Sequence, residues 1–241
     1  MFIDCHTHIL NGIDDGAESL FESCKMVDKS ISDGVTSIWL TPHFDAKYDS
    51  INKFKSNRNY AYKNIVNSYL GVNISFVLAA EVKLRGELFS VNDLSSLCIN
   101  GGNNMLVEFA GGSSITDIKR MLGKLIYSYN INPIIAHIER YKELFHSNKE
   151  INALISMGCK LQMSTGILVG IGLNSLMAFR RIQKNEITLL GTDCHNMTTR
   201  PPNSQKALNT LQEVLGSKTI DRLNSNAAEI AIRFEEKRLF V

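Results

Sequence analysis

Phe2-Ile3-Asp4-Cys5-His6-Thr7-His8 opens the chain, and Asn11-Gly12-Ile13-Asp14-Asp15-Gly16 follows at once. Strand side chains alternate with period two, so an apolar strand ending in His-x-His sends both imidazoles to one face. Neutral imidazole is the commonest metal-binding side chain, and two on one face make half a metal site. On the same alternation Cys5 points away from the histidines, as a small buried filler. By itself His-x-His equally describes two polar residues at a strand end, so the rest of the chain has to decide.

Working outward, the other apolar runs end in the same kind of residue. Ala17, Leu20, Phe21, Cys24, Val27 and Ile31 recur at helical spacing up to Gly34, and Val35-Thr36-Ser37-Ile38-Trp39-Leu40 then reads as a buried strand ending in Thr41-Pro42-His43. The stretch 44–56 reads as a loop, 57–69 as a helix, and 72–80 as a strand ending in Glu81. Residues 85–104 are irregular, an expected lid or edge segment. Met105-Leu106-Val107 ends in Glu108, the run 131–136 ends in His137, and Ile187-Thr188-Leu189-Leu190 runs on to Asp193 and His195. With a strand over 159–163, seven strand candidates alternate with helices, and six of them end in a potential ligand. That is the pattern of parallel β-α units. In a (β/α) barrel the C-terminal ends of the strands converge, so remote residues share one basin, whereas an open sheet spreads them along a line. A barrel is expected.

Composition bounds the function. The 241 residues are 44% hydrophobic and 21% charged, with a net charge of +2 and no basic block. These values describe a chain able to bury a core, with no nucleic-acid tail. Asp4 and His6 interrupt any signal-peptide apolar region, and no apolar run approaches the roughly 18 residues of a membrane span. The five cysteines are odd in number and scattered without Cys-x-x-Cys, which suits free thiols in a reducing compartment. A single cytoplasmic domain over 1–241 is expected, with no membrane insertion.

The candidate site comprises His6, His8, Asp14 or Asp15, His43, Glu81, Glu108, His137, Asp193 and His195; of the histidines only His146 is left out. So many imidazoles and carboxylates in one basin repel and desolvate one another unless cations compensate them. Mixed His/carboxylate ligation suits Mn, Fe or Zn better than Ca. The set is too large for one ion and suits two or three. Clustered cations about 3.5–4 Å apart hold a hydroxide and both ends of an in-line phosphoryl displacement, so phosphoester hydrolysis is the natural reaction class.

His6-Thr7-His8-Ile9-Leu10, Gly12-Ile13-Asp14-Asp15-Gly16, Thr41-Pro42-His43, Glu81, Ala136-His137-Ile138-Glu139-Arg140-Tyr141 and Thr192-Asp193-Cys194-His195-Asn196 together resemble the PHP (polymerase and histidinol phosphatase) superfamily. Within it they are most similar to the bacterial metal-dependent tyrosine-protein phosphatases of capsule and exopolysaccharide clusters. The resemblance runs from residue 2 to about residue 230. It implies a distorted (β/α)7 TIM-like barrel with a site for three ions. His6, His8 and Asp193 would hold one, with Glu81 bridging to a second completed by Glu108 and His137. Asp15, His43 and His195 would hold the third, Asp14 being the alternative to Asp15. Arg140 and Arg200 match arginines that hold phosphate, and guanidinium forks suit its oxygens. The implied cofactors are divalent cations, manganese first, with iron, zinc, cobalt or magnesium as alternatives. The implied partner is a phosphotyrosine-bearing protein, an autokinase of polysaccharide export. Water held between the ions would attack phosphorus directly, without a phospho-enzyme.

Two positions depart from the family pattern. Ile138 stands where it usually has proline, and Phe44 where it usually has a second histidine after Thr-Pro-His. Phe44 and Tyr48 are alternatively packing residues or the lining of a phosphotyrosine slot. The competing readings are a thiolate mechanism at Cys194-x5-Arg200, a histidinol-phosphate or other small-molecule phosphatase, a nuclease and an inactive metal-binding module. The nuclease lacks a basic, aromatic-studded track, and the thiolate loop lacks glycine.

Overall fold

The computed structural model describes residues 1–91 and 93–232; residues 92 and 233–241 of the expected 1–241 domain lie outside the described residues. In chain order the elements are β1 (Phe2–Thr7), α1 (Leu20–Ser32), β2 (Val35–Leu40), β3 (His43–Phe44), α2 (Ile51–Ser68), β4 (Ser75–Leu78), β5 (Glu81–Leu84), β6 (Asn104–Phe109), α3 (Ile115–Tyr129) and β7 (Asn132–Ile135). There follow α4 (Lys142–Phe145), α5 (Asn148–Ser156), β8 (Lys160–Ser164), α6 (Leu173–Gln183), β9 (Leu189–Gly191), α7 (Ser204–Leu215) and α8 (Ser217–Ala231).

Among the described residues all strand pairings are parallel: β1 with β2, β2 with β4, and β3, β5, β6, β7, β8 and β9 in succession. β2 passes through Thr41-Pro42 into β3, and β4 through Ala79-Ala80 into β5. The nine short strands are therefore seven staves. The ring closes where the Asp193 N–H donates to the His6 carbonyl (2.8 Å) and the His8 N–H to the Cys194 carbonyl (2.9 Å). Thr7 pairs in parallel with Cys194 at the same seam. The expected seven-stave barrel is present.

Register sorts each stave into a wall face and a lumen face. Trp39, Val77, Ala79, Leu106, Ile134, Ala136 and Leu189 fill the lumen, and Ile99 with Ala227 and Ile230 of α8 plugs its lower end. Alternate residues such as Leu40, Val82, Val107, Ile135 and Met163 face the helices in the larger outer core. α8 is fastened beneath the barrel by Asn224, whose Oδ1 accepts from the Ile3 N–H and whose Nδ2 donates to the Met1 carbonyl.

β1 breaks the alternation expected of it. Asp4 pairs with Ile38 and Thr7 with Leu40, so one extra residue is accommodated between them as a bulge. A bulge puts two consecutive side chains on one face. Cys5 therefore packs in the lumen cluster while His6 and His8 face the upper lumen too, and the expectation that Cys5 points away is wrong.

Three other expectations are refined by the structure. α2 begins at Ile51, with the Ser50 hydroxyl capping the Lys53 N–H, so the loop after β3 is shorter than 44–56. Its Asn, Lys and Ser content hid the first turn, and the cap supplies it. Of the expected lid or edge segment 85–104, the described residues form three short 3-10 turns, with Leu88, Leu94, Leu97, Cys98 and Ile99 buried, so they pack against the barrel as an edge segment in place of an α-helix. Phe44 is 2% exposed and packs its ring, tilted by 57°, against Phe54 at 5.1 Å in the outer core, while it also borders, with Tyr48, a surface cavity beside the start of α2. Among the described residues no helix is long and apolar enough to cross a membrane.

Candidate metal centre

All nine expected ligands converge at the C-terminal end of the barrel, and Glu81 is their hub. Its Oε2 lies 3.0 Å from His6 Nε2, 3.2 Å from His8 Nε2 and 3.1 Å from His43 Nδ1, while Oε1 lies 2.8 Å from His137 Nε2. Asp193 Oδ1 is 3.5 Å from His6 Nε2 and 3.4 Å from His8 Nε2. Glu108 Oε1 is 3.1 Å from His43 Nδ1, and Asp15 Oδ1 is 3.5 Å from Nε2 of both His43 and His195. Three groups have ligand atoms within 4.8 Å of one another: His6-His8-Asp193, His43-Glu81-Glu108, and His8-Asp15-His43-His195. His137 adjoins the second group. His146, outside the expected set, bonds Asn174 elsewhere.

Local structure aims these groups. Glycines let neighbouring backbone press against the His-x-His strand: a Cβ at Gly191 would lie 2.5 Å from His6 Cβ, and one at Gly16 2.1 Å from the His8 carbonyl oxygen. His137 (φ 33°) and Asp193 (φ 55°) both hold left-handed backbone, a conformation that costs a non-glycine residue about 1–3 kcal/mol and that clusters at functional sites.

Asp14 and Asp15 have separate places. Asp14 Oδ2 accepts from the His43 N–H at 2.8 Å and lies 2.6 Å from His8 Nδ1, and its Oδ1 accepts from the Gly16 N–H. A carboxylate on the far nitrogen of an imidazole orients that ring. Asp15, with its side chain 68% exposed, reaches across the mouth to His43 and His195.

Charge explains the packing. Burial pushes the Glu81 carboxyl up, yet His6, His137 and His8 outweigh it and hold it well below the usual carboxylate range. Asp193 is likewise held far down against burial by His6, His8 and Arg140. Burial pulls the His8 imidazole down, but Asp14, Asp193 and Glu81 lift it well above its ordinary value. His195 goes the other way, to about 4, through burial and the charges of His8 and Arg200. Asp14 sits at about 2, since His8 outweighs its burial. Without cations, then, the carboxylates favour protons on His6 and His8.

That balance is incomplete. Glu81 Oε2, His43 Nδ1, Glu108 Oε1 and His195 Nε2 are buried without a well-aligned hydrogen bond and face only other charged groups of the cluster, although buried polar groups almost always have a good partner. Lone pairs of nitrogen and oxygen pointing into one basin fit divalent cations. The donor set, imidazole and carboxylate without thiolate, suits Mn, Fe or Zn.

Arg140 and Arg200, 48% and 38% exposed, both place a guanidinium on Asp193 Oδ2, Arg200 at 2.7 Å. They stand at the rim, beside the basin. Two neighbours escaped the sequence reading. Lys83, two residues past Glu81 on β5 and so on the same lumen face, puts Nζ 2.6 Å from Glu108 Oε1. Gln162 on β8 is fully buried among the ligands. The period-two rule applied to Glu81 points to Lys83; nothing in the sequence marks Gln162. The rival nucleophile Cys194 is 1% exposed, and burial raises its thiol beyond the ordinary range.

Several known proteins resemble this chain over most of its length. The family described as capsular polysaccharide synthesis, CpsB/CapC, matches over residues 2–233. Tyrosine-protein phosphatase YwqE of Bacillus subtilis (strain 168) is 28% identical over 241 residues, covering 96% of this chain and 91% of its own. Tyrosine-protein phosphatase CpsB of Streptococcus pneumoniae is 29% identical, covering 92% and 94%. A solved structure from work on YwqE and CpsB as "unique metal-dependent tyrosine phosphatases" superposes with a TM-score of 0.81 at 25% identity, over 95% of this chain and 94% of that one. A beta-aspartyl dipeptidase from Fervidobacterium islandicum AW-1 reaches 0.54 at 12% identity, over 95% and 72%, a likeness of fold alone.

Proposed function

The chain belongs to the CpsB/CapC capsular polysaccharide synthesis family, and from that premise we propose that it is a metal-dependent protein-tyrosine phosphatase. The observation that carries this reading is the convergence of nine imidazoles and carboxylates in one basin, four of the imidazoles on Glu81 itself, with two guanidiniums at the rim.

His6, His8, Asp193 and Glu81 would hold one ion, Glu81, Glu108 and His137 a second, and Asp15, His43 and His195 a third, manganese being our first choice. Bound divalent cations supply Lewis-acid charge and water that is nucleophilic at neutral pH. Arg140 and Arg200 turn their forks from Asp193 to the equatorial oxygens of the phosphoryl group, neutralising charge that grows in the transition state. Asp14 holds the His8 ring, and buried Thr7 and Thr41 fix the strand beneath: the Thr41 hydroxyl accepts from the Thr7 N–H at 3.0 Å. A tyrosinate leaving group, with a pKa of about 10, needs less protonation than an alkoxide. That suits a site in which Phe44 has replaced a histidine and is itself buried in the outer core.

The physiological substrate in this reading is the tyrosine-bearing segment of an autokinase controlling polysaccharide export. The protein acts in the cytoplasm as one domain over 1–241. Support comes from its free cysteines and from the continuous ring formed by the described residues.

His137→Ala or Asp193→Ala should abolish p-nitrophenyl phosphate hydrolysis, and retained turnover in either would refute the site. Metal analysis paired with rates on a phosphotyrosine peptide and on histidinol phosphate tests the substrate. Preference for histidinol phosphate would favour a small-molecule phosphatase instead.

A further inference from the structure

β8 differs from the other staves in bringing no titratable side chain to the hub; at that height it offers Gln162. The amide Oε1 lies 2.7 Å from the His137 backbone nitrogen and 3.2 Å from His6 Nδ1. The orientation of a glutamine amide is ordinarily ambiguous, but here chemistry settles it. A backbone N–H can only donate, so the atom facing His137 is the oxygen. That oxygen cannot donate to His6 in turn, so His6 Nδ1 carries the hydrogen. In the neutral, ligating imidazole the lone pair of His6 is then on Nε2, the atom facing Glu81 and Asp193.

We propose that Gln162 is a positioning residue for the centre: one neutral amide fixes the Nδ1–H tautomer of His6 and pins the left-handed backbone of His137. This rests on His6 and His137 being ligands. It explains why β8 carries a hydrogen-bond acceptor at this height without supplying a ligand. A carboxylate there would accept the same two hydrogen bonds, so the acceptor oxygen is what the position requires. An apolar residue would leave the His137 N–H buried without an acceptor, at a cost of about 1–3 kcal/mol, and let the His6 ring choose either tautomer.

Two measurements test it. In zinc-loaded, 15N-histidine-labelled protein, two-bond 1H–15N spectra assigned against His6→Ala should show His6 protonated on Nδ1, with that hydrogen exchanging slowly. His6 protonated on Nε2 would overturn the proposal. In Gln162→Met, which keeps length and loses the acceptor, the Nδ1 hydrogen should exchange freely. Manganese affinity, by competition with a chelator, should fall about 10–100-fold, the range for lost outer-shell partners of metal ligands. Gln162→Glu, which keeps the acceptor, should stay near wild type. Wild-type affinity in Gln162→Met would overturn the inference, as would a loss in Gln162→Glu equal to that in Gln162→Met. Should Gln162→Met not fold by circular dichroism, the wild-type spectrum and a tenfold or larger loss in Gln162→Glu remain able to overturn it. Unchanged metal content in His6→Ala would instead overturn the metal-centre reading beneath.

Discussion

Glu81→Gln removes the one carboxylate charge shared by four imidazoles while keeping its shape. Each of His6, His8, His43 and His137 stands within 3.2 Å of a Glu81 oxygen, and the side chain is 1% exposed. Removing one partner of a buried ion pair costs about 3–5 kcal/mol, because it strands the other charge. Part of that is recovered here, since His6 and His8, held up by neighbouring carboxylates, can release their protons. A net loss near the lower bound, about 3 kcal/mol for chelator-stripped protein at pH 7.5, lowers Tm by roughly 6–12 °C in a domain of this size. The sign with pH is definite. The folded Glu81 pKa is depressed, so its contribution is complete above the ordinary value of 4.5 and vanishes as pH falls through the folded value. The gap between variant and wild type should therefore close on acidification. With cations present, losing about 3 kcal/mol of transition-state stabilisation slows p-nitrophenyl phosphate hydrolysis at least about a hundredfold. Metal content should fall as well, and thermal unfolding of stripped protein, metal analysis and the hydrolysis assay read the losses of stability, metal and turnover. An unchanged Tm together with full metal content and near-wild-type turnover would refute the reasoning.

Arg140→Met and Arg200→Met should each cut kcat/KM about 10²–10³-fold, the range for losing one preorganised donor, and lysine at either position should restore little of it, as it lacks the planar fork; a lysine variant at wild-type rate would count against phosphate binding. Cys194→Ser should keep full activity while a chelator abolishes it, and the reverse pair would favour the thiolate mechanism. Metal affinity should rise with pH through the neutral range, because raised His8 holds a proton that a cation must displace; titration calorimetry in buffers of different ionisation enthalpy counts the protons released. Phe44→Ala should destabilise the fold by about 3–5 kcal/mol through the cavity left beside Phe54, and Phe44→His should not raise the rate, since that side chain faces the outer core; denaturant unfolding and phosphotyrosine turnover check the two.

The ring of staves was legible because the lumen-filling runs were short and apolar and six of the seven were followed by a ligand, and because those ligands had no other reason to sit at strand ends. Asp193 and His195 lie far from His6 in the chain, yet their places after Leu189-Leu190 located them. The bulge at Cys5 was not legible: alternation is a rule about regular pairing, and only the register against Ile38 and Leu40 shows the extra residue. Gln162 was invisible for a different reason, being a neutral side chain whose meaning depends entirely on the two donors that converge on it. The start of α2 was missed because Lys53, Lys55 and Ser56 read as solvent-loving loop, whereas they form the outer side of a helix whose Phe54, Arg58 and Ala61 face inward.

The seam between the first and last staves has a consequence for how the protein is made. The edge of β1 finds its partner only when residues 189–195 emerge from the ribosome, late in synthesis, and those same residues deliver Asp193 and His195. A nascent chain short of them presents an open row of unpaired amides and carbonyls, an invitation to pair with a neighbouring chain, beside imidazoles that have no counter-charge from the last stave. Sealing the ring and completing the cation cradle thus become a single late event in the birth of the molecule, and polypeptides that stop early are candidates for clumping and not for partial activity.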